Sequence, residues 1–210
     1  MQIWMLSRIV ATTISLALIV GLAFPQEKKG EPAEAGPEMD DMMKMWKELG
    51  TPGEAHHLLN DLVGSWETTS KVWMGQGQDA PPMETKGTAE MKWIMGGRFL
   101  LQEAKGQMMG EPFTGMGITG YDNYKKQYVT FWIDDMGTAM YTGDGKADQS
   151  GRMLTIYGKM DEPMTGEHDK TVKYVTRIIN KDKHIFEIHD LAIGEPNTKI
   201  VEITYTRNKK

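Results

Sequence analysis

The sequence predicts an all-β fold, an antiparallel up-and-down barrel of about ten strands with an N-terminal helical cap. Three observations carry that expectation. From Ser65 to Arg207, short segments rich in Thr, Tyr, Val, Ile, Phe and Trp alternate with glycine, proline and Asx turns. These segments recur at a near-regular interval of about ten to fourteen residues, the rhythm of a meander. No stretch after residue 65 repeats its apolar residues at helical spacing. Closure follows because an open meander of this length would leave two hydrogen-bonding edges exposed. A barrel of that strand number is also wider than its side chains alone fill, so an interior cavity is the corollary.

The chain begins with residues 1–24, where a short stretch containing Arg8 precedes an apolar run from Ile9 to Phe24, the pattern of an export signal. The run is about sixteen residues, short of the roughly 20 that a spanning helix needs. Cleavage is therefore expected, leaving a periplasmic or extracellular protein with no stable membrane span; an uncleaved N-terminal anchor is the alternative. The chain has no cysteine, which excludes a lipid-bearing cysteine, disulfides, thiolate metal sites and cysteine nucleophiles together. Residues 25–38 turn to Pro, Glu, Lys, Ala and Gly and cannot bury enough apolar area to offset ordering entropy, so they read as a disordered linker.

Residues 39–63 read as helices. In MDDMMKMWKEL, residues Met39, Met42, Met43, Trp46 and Leu49 form one apolar stripe, which Gly50 ends. Thr51-Pro52-Gly53-Glu54 has the form of a capping box, with Thr51 as N-cap and Glu54 reaching back to the cap amide. Ala55, Leu58, Leu59 and Leu62 follow at helical spacing, so a short helix packs on something larger. The barrel then fills residues 64–210, with strands expected at 65–74, 86–95, 98–106, 112–121, 127–135, 138–146, 152–160, 170–180, 184–192 and 198–207.

A net charge of −5 supplies none of the concentrated positive charge that phosphate neutralisation demands, so nucleic acid is not an expected partner. The densest stretch is GYDNYKKQYVTFWIDDMGT, residues 120–138. Asp122 and Asn123 supply the chemistry of an Asx turn, with Lys125 and Lys126 on its wet side. Beyond the turn Tyr128, Thr130, Trp132 and Asp134 share one face of a strand, and Val129, Phe131, Ile133 and Asp135 share the other. Alternation does not say which face is inside. In KHIFEIHDLA, likewise, Ile185, Glu187, His189 and Leu191 oppose His184, Phe186, Ile188 and Asp190.

The blocks HHLLNDLVGSW, IMGGRFL, PFTGMGITGYDNYKKQYVTFWIDDMGT and DGKADQSGRMLTIYG together resemble the bacterial family catalogued as domain of unknown function 1579, over roughly residues 54–207. The resemblance implies a calycin-like barrel, related in architecture to lipocalins, fatty-acid-binding proteins and nitrobindins, and it leaves the chemistry open. Gly64-Ser65-Trp66 is similar to the lipocalin Gly-x-Trp at the start of the first strand, which implies an indole packed across the closed end. Arg207 stands where a late-strand arginine would stack on it.

The sequence holds no Gly-x-Ser-x-Gly elbow, phosphate loop or metal triad, and Asp134 and Asp135, being adjacent, cannot form a carboxylate dyad on an unbroken strand. His56 and His57 point about 100° apart on a helix and read as surface or capping residues. Met39, Met42, Met43 and Met45 are soft enough to hold Cu(I), against the simpler reading that they fill contacts. Haem, the option that nitrobindins suggest, needs an inward histidine as axial ligand, and His189 is the candidate. The leading expectation is an exported barrel that binds a small apolar or amphipathic molecule in its interior. An enzyme using the same cavity, or a filled barrel serving as an envelope interaction module, is the alternative. The expected ligand contacts are Arg98, Tyr121, Trp132, Asp134, Arg177 and His189; Gly64, Trp66 and Arg207 are structural, and no cofactor, catalytic residue or oligomeric state is assigned.

Overall fold

A computed structural model describes residues 38–73, 80–163, 165–191 and 199–209. The expected signal and nearly all of the expected linker lie outside the described residues. Two helices, α1 (Met39–Leu49) and α2 (Glu54–His57), and a 3-10 turn (Asn60–Leu62) precede ten strands. The strands are β1 (Gly64–Val72), β2 (Met83–Ile94), β3 (Phe99–Met108), β4 (Glu111–Asp122), β5 (Gln127–Asp134), β6 (Tyr141–Ala147), β7 (Met153–Glu162), β8 (Glu167–Asn180), β9 (Lys183–Asp190) and β10 (Lys199–Arg207). Each pairs antiparallel with its sequence neighbour, and β1 pairs with β10, so the meander is a closed barrel without a free edge.

Register decides which faces point inward. Trp66 is buried and pairs with Ala89 of β2 and Arg207 of β10. From Ala89 the same face runs through Ala104 and Gly115 to Asp134. On the other side Thr68 pairs with Tyr205, Tyr205 with His184 and His184 with Ile178. Alternation along each strand then places Tyr128, Thr130, Trp132 and Asp134 inside on β5, and His184, Phe186, Ile188 and Asp190 inside on β9.

The segment before β1 seals one end, and it departs from the expected cap in detail. Thr51 Oγ1 donates to the Lys47 carbonyl at 2.6 Å, tying off the end of α1, and Gly53 is the N-cap of α2. The Gly53 amide donates to His56 Nδ1 at 3.1 Å, so an imidazole takes the role assigned to Glu54. The helix stops after one turn and a 3-10 turn follows, and Leu59 and Leu62 are both buried.

Wall side chains hold this plug through hydrogen bonds. Tyr128 OH donates to the Ala55 carbonyl at 2.8 Å, Trp93 Nε1 to Asn60 Oδ1 at 2.8 Å, and Trp66 Nε1 to the Leu62 carbonyl at 2.8 Å. Arg207 donates to the carbonyls of Asp61 and Val63, at 2.9 and 2.7 Å, while its guanidinium lies 4.1 Å from the centre of the Trp66 ring. Gly64 has a φ of +129°, and a Cβ there would collide with Arg207 Nη1, so the position admits only glycine without strain.

Candidate functional site

Behind the plug, the first ring of inward side chains is packed. Trp66, Tyr128, His184 and Tyr205 are all buried there. The His184 ring meets Trp66 edge-on at 4.4 Å and stacks on Tyr205 at 4.2 Å. Its Nδ1 is buried without a hydrogen-bond partner among the described residues. Burial, with a smaller contribution from the Arg207 charge, pushes its pKa down to about 3, so the imidazole is neutral at physiological pH. Gln102 Nε2 donates to Tyr205 OH at 3.1 Å, a tie between β3 and β10 that lays a polar floor across the barrel. Burial drives the Tyr205 hydroxyl up to about 12 despite that bond.

Two residues further along each strand the packing opens. Thr68, Thr119, Thr130, Phe186 and Ile203 stand next to Trp66, Tyr121, Tyr128, His184 and Tyr205 on the same inward faces, yet each keeps accessible surface. Thr119 and Thr130 share a hydrogen bond of 3.1 Å, and Tyr174 stacks on Phe186 at 6.1 Å with the rings 14° from parallel. Small residues make the room. The inward positions opposite Trp132 on β4 are Gly115 and Gly117, and its indole lies flat along them.

That indole is fixed at its far side as well. Trp132 Nε1 donates to Asp134 Oδ2 at 2.9 Å, and Asp134 Oδ1 accepts from the Met136 amide at 3.1 Å. Tyr141 of β6 pairs with Trp132 across the wall, and its hydroxyl pKa is raised by burial and then by the charges of Asp134, Asp161 and Glu162. A Cβ on Gly115 would lie 2.2 Å from Trp132 Cζ2, a clash. Gly115→Ala is therefore expected to displace the indole, break its bond to Asp134 and cost about 1 to 3 kcal/mol, read as a lower urea midpoint with altered tryptophan fluorescence.

Of the six ligand contacts expected from the sequence, the structure brings Trp132 and Asp134 together inside the barrel. Tyr121 also points inward, but beneath the plug, edge-on to Tyr128 at 5.0 Å and to His56 at 5.9 Å. Arg98 lies in the exposed turn between β2 and β3, where Nη1 donates to the Met95 carbonyl at 2.9 Å. Arg177 and His189 meet on the outer wall. There Glu187 accepts Arg177 Nε at 3.1 Å and Lys199 Nζ at 3.2 Å, with His189 Nε2 at 3.5 Å. Burial alone would raise the Glu187 pKa, but Lys199 and Arg177 hold it below the usual carboxylate range. Their outward side is set by register: Val175 pairs with Glu187, and Lys199 with His189, one step out of phase with the inward residues.

His189 thus presents no imidazole to the interior, and the inward His184 is enclosed between Trp66 and Tyr205. Sequence reasoning passed over Tyr141, Tyr174 and Phe186, whose inward direction shows only once the barrel register is known. It also passed over Lys170 and Asp190, an inward ion pair at 2.5 Å that is nearly buried at the end away from the plug. Met39, Met43 and Met45 are exposed on α1, and among the described residues no group of three or more histidine or carboxylate side chains is arranged to hold a metal. Among the described residues, too, no helix is long and apolar enough to cross a membrane. Depressions of about 420 and 310 Å³ on the outer wall have Glu90, Glu103 and Lys105 at the first and Lys105, Ile133 and Asp135 at the second; both are rimmed mainly by outward residues.

A closed ten-strand antiparallel barrel with an N-terminal helical plug defines the chain as a calycin-like protein. It belongs to the family described as Protein of unknown function (DUF1579), whose profile matches residues 51–207. Among solved structures it is similar to the crystal structure of Rv2717c from M. tuberculosis, with 15% identity and a TM-score of 0.54 over 76% of this chain and 100% of that one. A redesigned beta barrel also matches, at 14% identity and a TM-score of 0.38, over 74% of this chain and 96% of that one. None of the curated proteins compared with the chain matches it.

Proposed function

We propose that this protein is exported and binds a small amphipathic molecule in the barrel interior. One observation carries the binding: inward Thr68, Thr119, Thr130, Phe186 and Ile203 remain accessible although the ring next to them is packed. Side chains directed at the axis of a closed barrel keep such surface only if water reaches them, and space that admits water admits a ligand. The lining suits a molecule with two characters. Phe186, Tyr174 and Ile203 offer apolar contact, and the hydroxyls of Thr68, Thr119 and Thr130 offer hydrogen bonds. The inward histidine, His184, is enclosed between Trp66 and Tyr205 and is not presented to the accessible belt, so binding accounts for the site better than catalysis does. The export half of the proposal rests on the apolar run Ile9–Phe24 behind Arg8.

Native mass spectrometry of the protein purified from its host envelope tests both halves. The expected mass lacks about the first 24 residues and carries a non-covalent small molecule. Thr130→Phe, which fills the accessible belt, is expected to lose that molecule while keeping the far-UV circular dichroism of the parent. A molecule retained equally by both proteins would move the ligand out of the interior, and an intact N-terminus would favour the anchored form.

A further inference from the structure

The interior is unevenly charged, and the imbalance points to the class of ligand. Charged side chains on its inward faces include Asp134, Lys170, Asp190 and Arg207, and, after burial, the carboxylates of Asp161 and Glu162 add to Asp134 in raising the Tyr141 hydroxyl pKa. Lys170 and Asp190 neutralise one another at 2.5 Å. Arg207 is spent on the plug carbonyls of Asp61 and Val63 and, at the turn between β8 and β9, on the Lys181 carbonyl and the Asp182 carboxylate at 3.7 Å. Asp134 has no cation partner among the described residues: its two oxygens accept only the Trp132 indole and the Met136 amide, both neutral donors.

The surroundings of Asp134 fit a positive guest. Trp132 lies flat over Gly115 and Gly117, held by Asp134 itself, and so keeps its other face toward the interior. Tyr141 sits beside it on β6. A carboxylate flanked by two electron-rich rings is the arrangement that binds an organic ammonium, through a charge-assisted contact at the oxygen and cation–π attraction at the ring faces. An anionic head would meet an unbalanced negative charge at the same place. From Asp134 the inward face continues along β5 to Thr130, so a molecule whose cationic head rests here extends its apolar part into the accessible belt.

We propose that the ligand is an amphiphile with an organic-ammonium head, that Asp134 and the Trp132 face bind the head, and that the Phe186–Ile203 belt takes the tail. This rests on the interior-binding reading, and the test separates the two. Three probes with one decyl chain and different heads, decyltrimethylammonium, decyl sulfate and decyl maltoside, are titrated below their micellar concentrations into the full chain by calorimetry. Melting curves at each concentration exclude unfolding. The cationic probe is expected to bind about tenfold more tightly than the neutral one, with the anionic probe weakest. Asp134→Asn, which removes the charge and keeps one oxygen for the indole hydrogen while turning its amide nitrogen toward the Met136 N–H, is expected to abolish the preference for the cationic probe over decyl maltoside. Equal binding of all three probes by the parent, or a cation preference that survives Asp134→Asn, overturns the ammonium assignment and leaves interior binding standing. Binding of none, or binding that Thr130→Phe leaves intact, overturns the interior reading along with it.

Discussion

Trp66→Ala is expected to lower the unfolding free energy by about 3 to 5 kcal/mol, among the larger losses a single truncation produces. The side chain is 1% exposed and is shared by three structures. Its indole N–H satisfies the Leu62 carbonyl at the end of the plug, its edge packs on His184, and its ring carries the Arg207 guanidinium. Truncation leaves a cavity, a carbonyl without its donor and an arginine without its platform, and these losses fall on contacting groups, so they couple. Trp66→Phe keeps most of the packed area and loses the hydrogen bond, for a cost of about 1 to 2 kcal/mol. Equilibrium urea unfolding measures both. An alanine variant within about 1 kcal/mol of the parent would show that the plug is not seated on this indole.

The second large effect is on acid stability. His184 has a folded pKa of about 3, depressed by burial from an ordinary value of 6.5. The unfolded chain therefore binds a proton that the folded chain refuses, and stability falls as pH drops from 6.5 toward 3. Between pH 6.5 and 4.5 the loss from this group is about 2 to 3 kcal/mol, most of it above the range in which glutamates are half protonated. The other depressed histidines act in the same direction. His56 is lowered by burial, then by His57 and Arg98, and His189 by burial and then by Lys173. His184→Phe keeps an aromatic ring between Trp66 and Tyr205 and removes the titration. It is expected to flatten the stability profile over that window, as measured by urea midpoints at half-unit steps of pH. A variant with the parent's slope would place the acid-sensitive group elsewhere.

These two residues also show what could be read from the chain alone. Strand count, order and closure were legible because each strand is bounded by its own turn chemistry: Asp122 accepts the amides of Tyr124 and Lys125, and Asp148 those of Arg152 and Met153. Such signals are local, and local signals survive in a linear sequence. Sidedness is not local. On β5 both faces carry large side chains, and the choice between them is made on a neighbouring strand, where Gly115 and Gly117 leave room for Trp132 and for no second bulky residue. On β9 the histidine inside is His184, one register step from Glu187 and His189 outside, and pairing with Tyr205 settles it. A one-residue step exchanges the faces entirely, so a search for site residues by type alone reached Arg177 and His189 on the outer wall. The cap was legible as apolar helical sequence, while its division into one helical turn and a 3-10 turn was not.

Arg207 fastens the last strand to carbonyls that lie 146 and 144 residues earlier in the chain. That reach has a kinetic meaning. Pairing of β1 with β10, and the locking of the plug, wait until β10 has been made, and contacts so distant in sequence form slowly. Until then the edge of β1 that β10 covers has no strand partner, although its other edge can already pair with β2.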